Sequence, residues 1–427
     1  MYVNYKRECF GEFEMPYIID IGTGANHSVF LNKYGHVVSS GKNLDGRIGT
    51  GNTTSSLVPV PPVGLPPNMV VSRIFVGNTN TFFIMSDMTI YATGDNSAGQ
   101  FGIGNLDNFL TPVHIEFFTT NNIQIKKIAA GWYHTIFLAF NGDVYVCGDN
   151  KFGQLGNGAD TPVVCGTNNI YGTSKCANMP KVITPIKLDG LNCWDVAAGK
   201  GHSVFVTNDE KLYTTGWNLY GQLGNCSENN SNTPVLIDTG NNRVFFAYAG
   251  MHHTMYISGG KRDQSIPGDN TIGMVYACGD NRDGQLGIPR QTTYQCQFTK
   301  VKIGDNDERC YYVSAGQTHT LFMTNRLQMY AVGKNTDGQL GLGHYNTVDK
   351  AQAIPIFKDK MVFKMEAGAN HSVFVTTEGI VYATGDNTMR GQLGISDITK
   401  TNTPLKSDIA IESYPGAKTY EQQIVGI

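Results

Sequence analysis

The chain has 427 residues, a length at which one hydrophobic core, rarely larger than roughly 250–300 residues, gives way to several domains unless repeats pack only on their neighbours. A formal charge of −3 with 16% charged residues gives no general attraction to nucleic acid. Nine cysteines without a Cys-x-x-Cys pair argue against a zinc site and a dense disulfide framework.

The opening Met-Tyr-Val-Asn-Tyr-Lys-Arg lacks the apolar centre of a signal peptide, and no apolar run is long enough to span a bilayer. The expectation is a soluble intracellular protein, cytoplasmic or nuclear, with no membrane partner. From residue 17 onward one unit recurs at approximately 17–60, 74–115, 128–188, 196–237, 246–303, 313–356 and 365–409. A period near fifty residues signals a solenoid, a propeller or an array. Each unit divides into four predicted strands. The first is an apolar run ending in glycine, as in Val196–Gly199. The second starts at a histidine and alternates, as in His202-Ser-Val-Phe-Val-Thr. The third is of the type Val144-Tyr-Val-Cys-Gly148, and the fourth carries Thr-Pro, as in Thr233-Pro-Val-Leu-Ile. Short β-branched and aromatic runs between turn residues are strand signals, and the proline places the fourth run at a sheet edge.

Two units carry insertions, 157–181 in the third and 258–273 in the fifth. In an up-and-down blade they leave from opposite ends of the strands, so they are expected on opposite faces. Ring closure has two candidate solutions: Ile18–Gly22 completing the last blade, or Gln423–Ile427 doing so. An unclosed ring would leave unpaired edges. Cys165 and Cys176 share one insertion and could pair, although a reducing compartment favours free thiols.

The first half of the motif is Gly-x-x-His-[Ser/Thr], with His27, His134, His202, His253, His319 and His371, and with Asn80 in the second unit. A catalytic base is needed once, beside a partner that breaks the symmetry. A residue used in nearly every unit serves something every unit needs, and a side-chain hydrogen bond at a strand junction is the expected role. An amide can replace that hydrogen bonding, which fits Asn80. The second half, Gly-x-Asn-x-x-Gly-Gln-Leu-Gly, reads as turn chemistry around Asn43, Asn96, Asn150, Asn218, Asn281, Asn335 and Asn387. It lacks the Gly-Lys-[Ser/Thr] ending of a phosphate loop.

Together these motifs resemble the regulator-of-chromosome-condensation repeat over nearly the whole chain. The resemblance implies an all-β, seven-bladed propeller of four-stranded antiparallel blades occupying 1–427 as one domain. It also implies a protein-binding function without covalent chemistry or cofactor, in one branch as an exchange factor for a Ran-like small GTPase. Family exchangers use a wedge from the third blade, so Asp160 and Lys175 are candidate partner contacts, and Lys261, Arg262 and Asp263 are candidates in the other insertion. The alternative is an interaction scaffold or adaptor without exchange activity. The plant ultraviolet-receptor branch repeats Gly-Trp-Arg-His-Thr, to which only Gly131-Trp-Tyr-His-Thr135 comes close here.

Overall fold

The computed structural model describes residues 17–158, 181–261, 272–290, 293–388 and 391–409. Twenty-eight strands follow in chain order, and every consecutive four form one antiparallel sheet. The first blade is β1 (Ile18–Thr23), β2 (His27–Asn32), β3 (Val37–Gly41) and β4 (Ser56–Val60). The innermost strands of the other six are β5 (Val71–Val76), β9 (Ile125–Ala130), β13 (Cys193–Ala198), β17 (Asn242–Ala249), β21 (Cys310–Ala315) and β25 (Val362–Ala367). The chain is a seven-bladed β-propeller.

Why the second strand of each repeat alternates yet is buried throughout follows from blade stacking. Both faces of a blade meet a neighbour, so both side-chain sets along the strand are covered. Phe30 on β2 packs with Val373 and Leu393 of the seventh blade. Val29 and Leu31, on the opposite face of the same strand, pack with Ile74 and Phe83 of the second. Burying each such side chain contributes about 1.5–3 kcal/mol. Proline sits in the outermost strand of five blades, at Pro59, Pro112, Pro185, Pro234 and Pro404, where its missing N–H faces no partner strand.

The ring closes differently from either solution the repeats suggested. Ile18–Thr23 pairs with β2 and is the inner strand of the first blade, so it does not complete the last one. The seventh blade already has four strands of its own, from β25 to β28 (Lys400–Lys406). Repeats and blades are therefore in phase. Gln423–Ile427 lies outside the described residues. The first and last blades are joined by packing of Ile18, Ile21 and Phe30 on Val373, Val375 and Leu393, and by an ion pair of Lys364 with Asp20.

Of the third-blade insertion, residues 159–180 fall outside the described residues. Its anchors do not: β11 (Val144–Asp149) pairs with β12 (Lys181–Lys187) through Asp149 opposite Lys181, at the His134 end of the blade. The fifth-blade insertion lengthens a hairpin instead. β18 (His253–Lys261) and β19 (Ile272–Asp280) pair as far as Gly259 opposite Ile272, at the end away from His253. The two insertions leave from opposite ends of their blades. A one-turn helix, α1 (Glu116–Thr120), links the second blade to the third and buries Phe118 against Phe137, with ring centroids 4.7 Å apart.

Candidate functional site

The motif turns build one face of the disc. Asn218 Oδ1 accepts from Leu223 N at 2.9 Å, closing the turn, and Gln222 Oε1 accepts from Tyr220 N at 2.9 Å. The other six asparagines, Asn43, Asn96, Asn150, Asn281, Asn335 and Asn387, make the same bond at 2.9 to 3.2 Å. Gly216 takes φ 104°, which a side chain resists, and a Cβ there would lie 2.4 Å from Gly201 O.

The six histidines lie at the blade junctions, fully buried. Each Nε2 meets the Ser or Thr hydroxyl of the next blade. His134 reaches Ser203 at 3.0 Å, His202 reaches Thr254 at 2.9 Å, and His253 reaches Thr320 at 3.2 Å. His319 reaches Ser372 at 3.0 Å, and His27 reaches Thr81 at 3.1 Å. His371 closes the ring on Ser28 at 3.0 Å. Each hydroxyl in turn donates to a carbonyl of the histidine's own blade, as Ser203 does to Gln154 O at 2.6 Å and Ser28 to Gln392 O at 2.6 Å. A hydroxyl has one proton to give, so it accepts from the imidazole, and the ring carries its proton on Nε2. Nδ1 is left without a hydrogen bond. Burial pushes the imidazoles down, to about 4 for His134, His253 and His371 and to about 3 for His319, with His27 and His202 also lowered. These rings are neutral hydrogen-bond donors, and the Ser and Thr hydroxyls beside them are fully buried and spend their protons on backbone carbonyls.

Asn80 does not make the link its histidine counterparts make. Its amide turns back to Asp95 O at 3.5 Å, while Thr135 Oγ1 in the next blade has no hydrogen bond. An asparagine side chain ends short of the place where Nε2 of an imidazole would sit. Two substitutions therefore have opposite expected outcomes. Asn80→His supplies the missing tie and raises stability by about 1 kcal/mol. His202→Ala removes the donor to Thr254, leaving that hydroxyl only its bond to Gln222 O above a cavity, and lowers stability by about 2–4 kcal/mol. Denaturant titration of both variants checks the pair, and a destabilised Asn80→His variant would count against the geometry.

The seven inner strands enclose a central channel of about 340 Å³. Its mouth on the motif face is ringed by the repeat glycines. A Cβ on Gly199 would stand 2.6 Å from Gly250 O of the next blade, so the close approach requires glycine. Four residues before these glycines the repeat breaks its own symmetry, with Asp20, Arg73, Lys127, Asp195, Phe246, Tyr312 and Lys364 at one register position. Lys127 Nζ pairs with Asp195 Oδ1 at 2.6 Å across one junction, and Lys364 with Asp20 across another. Tyr312 and Ser314 donate to the Glu366 carboxylate at 2.6 and 2.9 Å. Burial lowers the Lys364 ammonium. Arg73 forms no ion pair among the described residues and instead donates to Lys126 O of the next blade at 2.6 Å, so the charged residues at this position tie neighbouring blades together.

One residue past the glycines the ring reads Ala25, Asn78, Trp132, Lys200, Met251, Gln317 and Ala369. Here the third to fifth blades form an aromatic cluster. Phe152 stacks on Trp217 at 4.8 Å, and Trp217 and Tyr220 flank the buried His252 at 4.7 and 4.9 Å. Lys200 Nζ lies 4.2 Å from the Trp132 ring centroid and 5.4 Å from that of Trp217. Sequence reasoning weighed Trp132 and Trp217 only against the receptor motif and overlooked Lys200. The available signal was divergence at one position of an otherwise uniform repeat.

The proposed partner contacts gain no geometry. Asp160, Lys175, Arg262 and Asp263 lie outside the described residues, and Lys261 is the last residue of β18. No group of three or more His, Cys, Asp or Glu side chains among the described residues could hold a metal ion, and no described helix is long and apolar enough to cross a membrane.

A family model for the RCC1-like domain matches residues 8–256, more than half of the chain. The chain belongs to the RCC1-like domain family. Models of the regulator of chromosome condensation (RCC1) repeat match 273–323 and 328–375, and a second such model matches 364–392. Within this family, the ultraviolet-B receptor UVR8 of Arabidopsis thaliana is 28% identical over 390 residues, covering 91% of this chain and 81% of the receptor. The E3 ubiquitin-protein ligase HERC2 of Mus musculus is 29% identical over 363 residues, which cover 84% of this chain and only 7% of the ligase. Among solved structures, Prp20p of Saccharomyces cerevisiae superposes with a TM-score of 0.68 at 22% identity, over 84% of this chain and 82% of that one. Human WBSCR16 gives 0.68 at 21% identity, over 85% and 87%. These two share the RCC1-like fold with the chain.

Proposed function

We propose that this RCC1-like propeller is a protein-binding disc that acts as a guanine-nucleotide exchange factor for a Ran-like small GTPase inside the cell, in the cytoplasm or nucleus. The observation that carries the reading is where symmetry fails. The histidine and asparagine ties recur around the ring, whereas the motif face of the third to fifth blades is unlike the rest and also anchors the third-blade insertion. A rigid scaffold with one divergent loop face is suited to recognition. Exchange needs no acid, base or nucleophile. A propeller that binds the nucleotide-free GTPase more tightly than the loaded form speeds release through that difference alone. The shared fold with Prp20p, a protein described as binding Gsp1p and histones, supports this reading. The motif histidines serve as ties between blades and take no part in exchange.

A scaffold or adaptor without exchange activity is the second reading, favoured by the match to a small part of the HERC2 ligase. Release of a fluorescent guanine nucleotide from purified small GTPases, Ran first, separates the two. The expected outcome is acceleration by the full chain. No acceleration across a panel of GTPases leaves the scaffold.

A further inference from the structure

The ammonium of Lys200 occupies an unusual place. It stands at the channel mouth against the faces of Trp132 and Trp217, 4.2 and 5.4 Å from their centroids. Among the described residues no carboxylate pairs with it, and burial lowers its pKa. The neighbouring cation, Arg282, lies 4.7 Å over Tyr220 and is already held by Asp280 through two hydrogen bonds at 2.8 and 2.9 Å. Leu219, next to Tyr220 in the chain, is 51% exposed. A half-buried cation is costly unless it is paired, and indole faces offset only part of that cost. Aromatic rings around a cation are also what interface hot spots are made of.

We propose that this mouth is the docking point for an acidic side chain of a protein partner, an Asp or Glu flanked by apolar residues. The carboxylate takes the Lys200 ammonium, and the flanking apolar groups lie on Trp217, Phe152 and Leu219. Charge complementarity selects this occupant. The unspent charge is positive, and a charge-assisted bond formed away from water is among the stronger polar contacts. A cationic partner would instead meet the Lys200 ammonium and be repelled. The proposal rests on the protein-binding reading and names what the bound protein presents.

The test uses two fluorescein-labelled peptides, Gly-Leu-Phe-Asp-Leu-Gly-Ser and its counterpart with Asn in place of Asp, titrated with the full chain and followed by polarisation. The Asp peptide is expected to bind at least about tenfold more tightly, the worth of one modest charge-assisted contact. Lys200→Met should abolish that preference and Lys200→Arg should keep it. Lys406→Met, an exposed residue of the outer strand of the seventh blade, should leave it unchanged. Equal affinity for the two peptides, binding of neither, or a preference that survives in Lys200→Met overturns the proposal. Nucleotide release measured on the same preparation keeps the two readings apart. Peptide failure with intact release removes the acidic docking point and leaves the exchange reading standing.

Discussion

Lowering the pH from 7 to about 4.5 is expected to unfold the propeller in one steep transition. The six motif imidazoles and His252 are buried and neutral, with values pushed to about 4 or 3 where they are resolved. In the unfolded chain each returns to an ordinary value near 6.5. Between those limits the unfolded state binds more protons, so stability falls as pH falls. The contribution is complete above about pH 6.5 and is lost as the pH drops through the folded values. Seven groups give a slope of up to about 9 kcal/mol per pH unit, which within two units exceeds the roughly 5–15 kcal/mol of a typical folded protein. Near-ultraviolet circular dichroism against pH, with proton uptake measured in parallel, tests this. About seven protons should be taken up on unfolding, and about six in His202→Asn. A midpoint below pH 4, or uptake of only one or two protons, would contradict the account.

Reduction of one disulfide should cost roughly 4 kcal/mol of stability, the chain-entropy value for a closed loop of 70 residues. Cys226, in the turn before the outer strand of the fourth blade, is bonded to Cys296 in β20 (Tyr294–Lys300) of the fifth, with Cα atoms 4.5 Å apart. The backbones also meet there, Cys226 N donating to Cys296 O at 3.0 Å. The enclosed loop spans the fourth blade's last strand and most of the fifth blade, so the bond ties two neighbours at the rim. Denaturant midpoints with and without reductant, and in Cys226→Ser, should show the same loss. Equal midpoints, after mass spectrometry has confirmed the cross-linked peptide, would refute the prediction.

The blade count and the second strands were legible because each is a local pattern repeated in every unit, and the outer prolines because they recur in five. The phase of the ring was not. A cyclic repeat looks the same wherever the chain enters it, and only the pairing of β1 with β2 reveals the entry point. The Cys226–Cys296 bond joins residues of different repeats and has no spacing signature. Cys165 and Cys176, the pair that spacing did suggest, lie outside the described residues. Asn80 shows a limit of another kind. The sequence reports that an amide has the right donors, but reach decides whether they arrive, and this one stops short of Thr135. The Lys200 mouth was hidden because three unremarkable residues, Trp132, Lys200 and Trp217, come from two repeats and converge only when blades stack.

Because every blade is made from four consecutive strands, the seam between last and first is chemically the same as five of the other six junctions: His371 grips Ser28 as His202 grips Thr254. The position of the chain ends is then an accident of gene order. New termini cut into any link between blades, with the old ones joined by a flexible linker, should yield a circular permutant of the same shape. The disc can thus be reopened at a chosen sector, placing fused cargo beside or opposite the aromatic mouth without disturbing a single sheet.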